Sequence, residues 1–411
     1  MAVSTSDELR ELKTVRTIIL CALVILLEGF DLQAAGVSAP RLAPAFHLLP
    51  AQVGLFISAS AVGVFLAAIL GGILADRFGR KPIIVIGVSL FGLFSLSMLL
   101  TTNLVTLILA RFFTGLGLGL AMPSVIALAS DHSPVEMKKR AVGFIYCAIP
   151  IGGALTSVVM TIGAFGNSWR PLYLIGGLAP IVVAPLLAGL LPKEAKPAPK
   201  AKSGQPGTSA LAGLFGKDNA STTVFIWLAT FGTLLIMYLL LGWMPSLLGA
   251  MGLSKQDAQY VQMIYNLGSS IGAALAGYLL DKKLLYTTPS VAYLLLAIVL
   301  GIFGMAAFDF RAAIALGFGV GLGVTTAQAI LYAFAPLCYG PSIRNTGVGA
   351  TVAAGRLGTI VGPLLAGILL GSGRSAADVL LVLIPITLLA GLMCLLVVRS
   401  IKRGELRAKA A

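Results

Sequence analysis

The segment GILADRFGRKP, residues 72–82, places four charged side chains between two long apolar runs. Apolar runs of this kind continue along the chain on both sides of it. Of the 411 residues, 58% are hydrophobic and 11% are charged, and the mean hydropathy is +0.98. A soluble domain carries about 25% charged residues, so the composition indicates an integral membrane protein.

Apolar runs of about 20 residues are long enough to cross the hydrocarbon core as helices. The sequence predicts an all-α protein with twelve transmembrane helices. The predicted spans lie near 17–39, 53–75, 83–101, 104–129, 141–165, 172–191, 222–247, 258–280, 290–308, 312–337, 346–371 and 379–398.

The distribution of Lys and Arg predicts the orientation, because these residues accumulate in cytoplasmic loops. With both termini in the cytoplasm, 22 of the 29 Lys and Arg residues fall on the cytoplasmic side and five fall outside. The formal charge of +14 then reflects membrane topology and does not indicate a nucleic-acid partner.

Residues 192–221 are rich in Pro, Gly, Lys and Ser and interrupt the apolar pattern. We expect a cytoplasmic linker here, between a six-helix bundle at 1–191 and a second at 222–411. Two motifs recur across it: GILADR (72–77) aligns with GYLLDK (277–282), and RAVG (140–143) with RNTG (344–347). Offsets of 205 and 204 residues, both on the cytoplasmic side, predict two parallel repeats.

Twelve spans, a central linker and the loop GILADRFGRKP resemble the major facilitator superfamily, whose loop between spans two and three reads G-x-L-a-D-r-x-G-r-k. The resemblance covers essentially the whole chain. It implies a gating role for charged residues at the cytoplasmic ends of the helices. These residues are Asp76, Arg77, Arg80, Asp131 and Arg140.

A narrower resemblance rests on EGFDLQAAG (28–36), which is similar to the D-G-x-D signature of the aromatic acid:proton symporters. The first position differs, since Glu28 stands where that family has Asp. YAFAPL (332–337) and GVGATVAAGRLG (347–358) support the same family. The resemblance implies proton-coupled import of a hydroxyphenylpropionate- or benzoate-like carboxylate.

Four charged residues lie within the predicted spans: Glu28 and Asp31 in span one, Arg111 in span four and Arg356 in span eleven. Intramembrane charges of this kind face the bundle interior and pair with one another or with a ligand. Asp31 lies roughly 12 Å and Arg111 roughly 11 Å from the outer ends of their spans. The two groups are therefore level, and we expect them to meet.

Glu28 and Asp31 are three residues apart and share one helix face. Two carboxylates this close in a low dielectric cannot both ionise easily, which favours a proton switch. Two other interpretations stay open: a structural network of carboxylates with arginine, and a sodium site.

Arg111 is the first candidate for the substrate carboxylate, because a guanidinium can donate two parallel hydrogen bonds to it. The alternative is a permanent structural partner for Asp31. Arg356 is a second candidate, or a packing element. Uncharged polar residues could complete a substrate cavity or serve ordinary bundle packing: Gln33, Tyr146, Tyr238, Tyr265, Asn266, Gln328 and Tyr332.

The sequence thus predicts a monomeric, multi-pass transporter of the bacterial inner membrane that uses the proton as its coupling ion. We expect no cofactor, no metal and no enzymatic activity, because the four cysteines and two histidines lack ligand spacing. Two rival functions remain: a proton-coupled drug exporter of the same superfamily, and a membrane sensor that binds a ligand without moving it.

Overall fold

The structure is a computed structural model, and it describes residues 5–134, 138–162, 168–192, 212–216, 219–281, 287–305, 309–341 and 343–410. Most of the predicted linker at 192–221 lies outside these ranges. Within them the chain is helical nearly throughout, in agreement with the predicted all-α class.

The helices are labelled α1 to α12 in chain order. The first six are α1 (Thr5–Ala45), α2 (Pro50–Phe78), α3 (Arg80–Ser97), α4 (Leu104–His132), α5 (Lys138–Thr161) and α6 (Arg170–Leu190). The others are α7 (Ala220–Ala250), α8 (Lys255–Asp281), α9 (Thr287–Met305), α10 (Phe310–Phe334), α11 (Arg344–Gly371) and α12 (Ala376–Ala410).

Ten of these helices are long and apolar enough to cross a membrane. The exceptions in the described part of the chain are α5, whose apolar stretch is the shorter Ile145–Thr161, and α8. Helix α8 carries a run of polar residues along one side, among them Gln259, Gln262 and Asn266. The membrane crossings of α5 and α8 therefore stay predictions.

The helices form two compact units. The first contains α1, α2 from Ala59 onward, and α3 to α6. The second contains Leu49–Ser58, which includes the start of α2, together with α7 to α12. In the first unit α1 packs on α4, α5 and α6, and α3 packs on α4 and α6. Its apolar core includes Val24, Phe91, Leu118 and Leu187.

The second unit repeats the packing plan of the first, with each helix number raised by six. Helix α7 packs on α10, α11 and α12, and α9 packs on α10 and α12. Its core is formed by residues such as Ile226, Ile330, Phe334 and Val397. Five helix pairs of the first unit therefore recur at the corresponding places in the second, as the repeated motifs predict.

The repeat extends to single contacts. A Cβ added to Gly152 on α5 would lie 2.0 Å from the Leu26 carbonyl oxygen of α1. A Cβ added to Gly358 on α11 would lie 2.3 Å from the Phe231 carbonyl oxygen of α7. Gly152 and Gly358 are 206 residues apart in the sequence, and Leu26 and Phe231 are 205 residues apart. These separations are close to the offsets of the repeated sequence motifs. In both units a glycine lets two backbones touch.

Helix α8 offers a matched test of this close packing. Gly268→Ala would place a methyl group 2.4 Å from the Phe318 carbonyl oxygen of α10, whereas a Cβ at Gly277 meets nothing within 4 Å. We expect Gly268→Ala to destabilise the protein by about 1–3 kcal/mol, as overpacking does. Gly277→Ala should be neutral or stabilising, since Ala is the better helix former. Melting temperatures in detergent measure both, and equal effects would contradict the packing described.

Candidate functional site

Helix α1 carries a group of buried polar side chains in its middle. Glu28 is 1% exposed and Asp31 is 0% exposed, and Gln33 is buried beside them. Helix α5 packs closely against this part of α1, and a Cβ on Gly153 would lie 1.9 Å from Gln33 Nε2. Because Gly153 has no side chain, there is room for the Gln33 amide between α1 and α5.

Asp31 forms an ion pair with Arg111 of α4, as the depths of the two residues in their spans predict. Arg111 Nη1 donates to Asp31 Oδ2 at 2.8 Å, and Arg111 Nη2 donates to the Asp31 backbone carbonyl at 3.2 Å. Arg111 is 1% exposed. Among the described residues, none accepts a hydrogen bond from Arg111 Nε.

Helix α3 supplies the second donor to the Asp31 carboxylate. Ser95, which is fully buried, donates from its hydroxyl to Asp31 Oδ1 at 3.0 Å. The two carboxylate oxygens are therefore held from two different helices. Sequence reasoning missed Ser95, because nothing in the sequence separates it from Ser89 and Ser97 on the same helix.

A pair of hydroxyl groups lies further toward the end of α1. Ser38 donates to the Ala35 carbonyl at 3.1 Å, and its oxygen lies 3.0 Å from the Tyr173 hydroxyl of α6. Since the Ser38 proton is engaged, Tyr173 donates to Ser38. The Tyr173 ring packs edge-on against Trp169. Sequence reasoning missed this contact too, as an isolated tyrosine in an apolar helix has no distinguishing pattern.

The same two helices that hold Asp31, α3 and α4, are joined again at the far end of α4. Arg80, the first residue of α3, forms an ion pair with Asp131 near the end of α4. Lys81 donates to the Leu191 carbonyl after α6 at 2.7 Å. These contacts bring together two of the residues assigned to gating by resemblance.

The other residues of that group are placed as follows. Asp76 is exposed. The Arg77 guanidinium lies 5.2 Å from the centre of the Phe78 ring, as a cation–π contact. The side chain of Arg140 lies outside the described residues.

In the second unit, α8 positions the predicted pair Tyr265 and Asn266. Both are buried, and Asn266 Nδ2 donates to the Gln262 carbonyl at 3.0 Å. Gln262 lies one turn earlier and Gln259 two turns earlier, and both are fully buried. Both glutamines were missed as candidate site residues, although the spacing of residues 259, 262 and 266 is that of one helix face.

The remaining candidates differ in exposure. Tyr238 on α7, Gln328 on α10 and Arg356 on α11 are half-buried, and Tyr332 on α10 is exposed. Tyr146, on α5 in the first unit, is exposed as well.

A buried guanidinium–carboxylate pair within a bundle of long apolar helices is typical of a polytopic membrane protein. The sequence matches the model of the Major Facilitator Superfamily over residues 21–337 and 227–411. The chain belongs to this superfamily of membrane transporters.

Curated relatives agree with the narrower resemblance. The chain is 41% identical to the 3-(3-hydroxy-phenyl)propionate transporter of Escherichia coli over 92% of either chain. It is 32% identical to the 4-hydroxybenzoate transporter PcaK of Pseudomonas aeruginosa, with 90% of this chain and 89% of that one covered. The predicted resemblance to the transporters of aromatic acids is thereby confirmed.

Solved structures agree on the fold. A crystal structure of a bacterial homologue of the human lysosomal transporter Spinster has a TM-score of 0.76 at 17% identity, with 95% of this chain and 98% of that one covered. At this identity the similarity concerns the fold alone.

The ion pair makes a prediction about stability. Arg111→Met leaves the Asp31 carboxylate buried without its cation, and removing one partner of a buried pair costs about 3–5 kcal/mol. Adding Asp31→Asn removes the remaining charge, so the double variant should recover most of the loss. Melting temperatures of the wild type, both single variants and the double variant at pH 8 measure the coupling. Losses that simply add would show that the two groups do not interact.

Proposed function

We propose that this chain imports an aromatic carboxylate together with a proton, by alternating access. The observation that carries the proposal is the buried ion pair of Asp31 and Arg111. It occurs in a chain whose curated relatives are transporters of aromatic acids. A carboxylate within the membrane is the natural group to take up a proton, and a guanidinium is the natural group to bind an anion.

Asp31 and Glu28 form the proton switch in this proposal. A proton on Asp31 removes its charge and most of its attraction for Arg111, while the hydroxyl of Ser95 remains beside it. Glu28 lies one turn earlier on α1 and is equally buried. Because both carboxylates lie in a low dielectric, charging one makes charging the other harder.

Arg111 then binds the substrate carboxylate. The guanidinium is almost completely buried against Asp31, so a substrate can reach it only after the pair opens. An arriving carboxylate supplies the negative charge that protonation removed. Coupling follows because one cation cannot fully serve two anions.

A polar cage completes the proposed cavity. Arg356, half-buried on α11, is the second candidate for the substrate anion. Residues that could contact the ring and its hydroxyl groups are Gln33, Tyr146, Tyr238, Tyr265, Asn266, Gln328 and Tyr332. Aromatic rings beside amides suit a phenolic ring, by offset stacking and hydrogen bonding.

The same proposal includes the organisation of the whole chain. It has twelve membrane spans with both termini in the cytoplasm, and two bundles, 1–191 and 222–411, joined by a linker at 192–221. The Arg80–Asp131 pair supports a cytoplasmic charge network that also includes Asp76, Arg77 and Arg140. We place the protein in the bacterial inner membrane as a monomer without a cofactor.

Uptake into proteoliposomes tests the proposal. With an inward proton gradient, the wild type should accumulate 3-(3-hydroxyphenyl)propionate or 4-hydroxybenzoate above equilibrium, and a protonophore should abolish the accumulation. Asp31→Asn should lose this accumulation yet retain exchange of labelled for unlabelled substrate, since the amide resembles the protonated acid. Undiminished accumulation by Asp31→Asn would show that Asp31 does not carry the coupling proton.

The same vesicles distinguish the two rival functions. Efflux of cations would indicate a drug exporter, and binding without flux would indicate a sensor.

Arg111→Lys separates the two candidate anion binders. Lysine keeps the charge but loses the planar fork, so KM for the aromatic acid should rise at least tenfold, or uptake should cease. Arg356→Lys serves as the matched control and should change KM less. If KM stays constant in Arg111→Lys and rises in Arg356→Lys, Arg356 is the anion binder and Arg111 serves only the switch.

A further inference from the structure

Ser95 on α3 lies beside Asp31, at the centre of the proposed proton switch. It lies near the end of α3 and is fully buried, and its hydroxyl donates to Asp31 Oδ1 at 3.0 Å. Ser97, two residues later, donates instead to the Phe94 carbonyl of its own helix at 2.7 Å. Of these two serines, Ser95 is the one whose hydroxyl reaches α1.

The two oxygens of the Asp31 carboxylate have different neighbours. Oδ2 faces the Arg111 guanidinium, which has donors only and therefore requires an unprotonated oxygen. Oδ1 faces a hydroxyl, which has one donor and two acceptor lone pairs. A protonated Oδ1 can therefore donate a hydrogen bond to Ser95 Oγ once the hydroxyl has rotated. A proton on Oδ2 would instead point at the Arg111 cation.

The packing around Ser95 holds the hydroxyl in this place. A Cβ on Gly176 of α6 would lie 3.5 Å from Ser95 Oγ and 3.2 Å from the ring of Phe30 on α1. Helix α6 thus approaches the side of Ser95 without touching it closely. The hydroxyl is enclosed between α1 and α6, with Asp31 as its hydrogen-bond acceptor.

Several groups besides Ser95 influence the charge of Asp31. Glu28 lies on α1 itself, Arg111 pairs with Asp31 from α4, and the titratable group on α6 is Tyr173, whose hydroxyl bonds to Ser38. Helix α5 presents the hydroxyl of Thr156, which donates to the Phe30 carbonyl at 3.0 Å. The ionisable groups set the overall electrostatics, and Ser95 is the neutral donor that acts on one carboxylate oxygen directly.

We propose that Ser95 is a positioning residue of the proton switch: it assigns the transported proton to Oδ1 of Asp31 and sets the pH at which the switch operates. This inference rests on the proposed function. In the ionised state Ser95 donates to Oδ1, and in the protonated state it accepts from Oδ1. It therefore keeps α3 in contact with α1 in both charge states, whereas the bond from Arg111 Nη1 to Oδ2 is a charge-assisted contact that loses most of its strength when Asp31 is protonated.

The loss of Ser95 should move the pH dependence of uptake in a defined direction. The hydrogen bond from Ser95 to the charged carboxylate is stronger than the one it forms with the neutral acid, so removal of the hydroxyl favours the protonated form. Uptake that needs a protonated Asp31 should then persist to higher pH. The pH of half-maximal uptake should rise by about one unit, as expected for the loss of one hydrogen bond to a charged group.

The experiment compares Ser95→Ala with Ser97→Ala in proteoliposomes, with uptake of 3-(3-hydroxyphenyl)propionate measured between pH 5 and 9. Ser95→Ala should show the alkaline shift with the same KM as the wild type at low pH. Ser97→Ala should keep the wild-type profile, and Ser95→Thr, which retains the hydroxyl, should restore it. Ser95→Cys, a weaker donor of similar size, should lie between the two and serves if Ser95→Ala does not fold.

The outcomes separate this inference from the proposed function. A wild type without proton-driven uptake overturns both. A normal wild type with an unshifted profile in both Ser95→Ala and Ser95→Cys overturns the role of Ser95 alone. A shift that Ser97→Ala reproduces, or that Ser95→Thr fails to reverse, reduces Ser95 to a packing residue and overturns its positioning role as well.

Discussion

The rest of the first unit depends on one buried charge pair, Asp31 with Arg111, and on the cost of leaving either member alone. A single buried charge inside the membrane is expensive, so the pair persists unless a proton or another anion takes the place of one partner. Helices α1, α3 and α4 meet at Asp31, since Ser95 and Arg111 each hold one of its oxygens. The same α3 and α4 are joined again through Arg80 and Asp131. The two helices whose side chains bond to the Asp31 carboxylate are thus the two that form this second ion pair.

Much of this arrangement could be predicted from the sequence, because charges inside apolar spans are rare and their depth can be counted. The Asp31–Arg111 contact follows from such counting, and the two-fold packing plan follows from the motifs that recur about 205 residues apart. The hydroxyls of Ser95 and Tyr173 could not be found this way, since small polar residues are common in transmembrane helices and only the packing shows which of them faces Asp31. Gln259 and Gln262 are a third case, because their helical spacing is visible in the sequence. The same buried polar residues lower the hydropathy of α8, so that it does not meet the composition expected of a membrane span. For the same reason its membrane crossing stays a prediction.

The proposed coupling has a direct energetic consequence. One proton carried with one monovalent carboxylate moves no net charge, so the membrane potential neither helps nor opposes the cycle. A second proton, for which Glu28 offers a buried site, would add about 2.3 kcal/mol per 100 mV to the driving force. The family resemblance leads us to expect Asp at this position, and the Glu28 side chain is one bond longer. The dependence of accumulation on membrane potential reports whether a second proton is carried, and its loss in Glu28→Gln would assign that proton to Glu28.

The central claim is that protonation of Asp31 and binding of the substrate anion are linked through Arg111. The most direct measurement is the proton change when substrate binds to the purified protein in a weakly buffered detergent solution. Linkage requires that a ligand which binds the protonated state better also draws protons into the protein. We expect the wild type to take up a fraction of a proton, and at most about one, for each 3-(3-hydroxyphenyl)propionate bound at and above the pH of half-maximal uptake, and Asp31→Asn to bind substrate with no proton uptake. Binding without proton uptake in the wild type, or equal uptake in Asp31→Asn, would contradict the account.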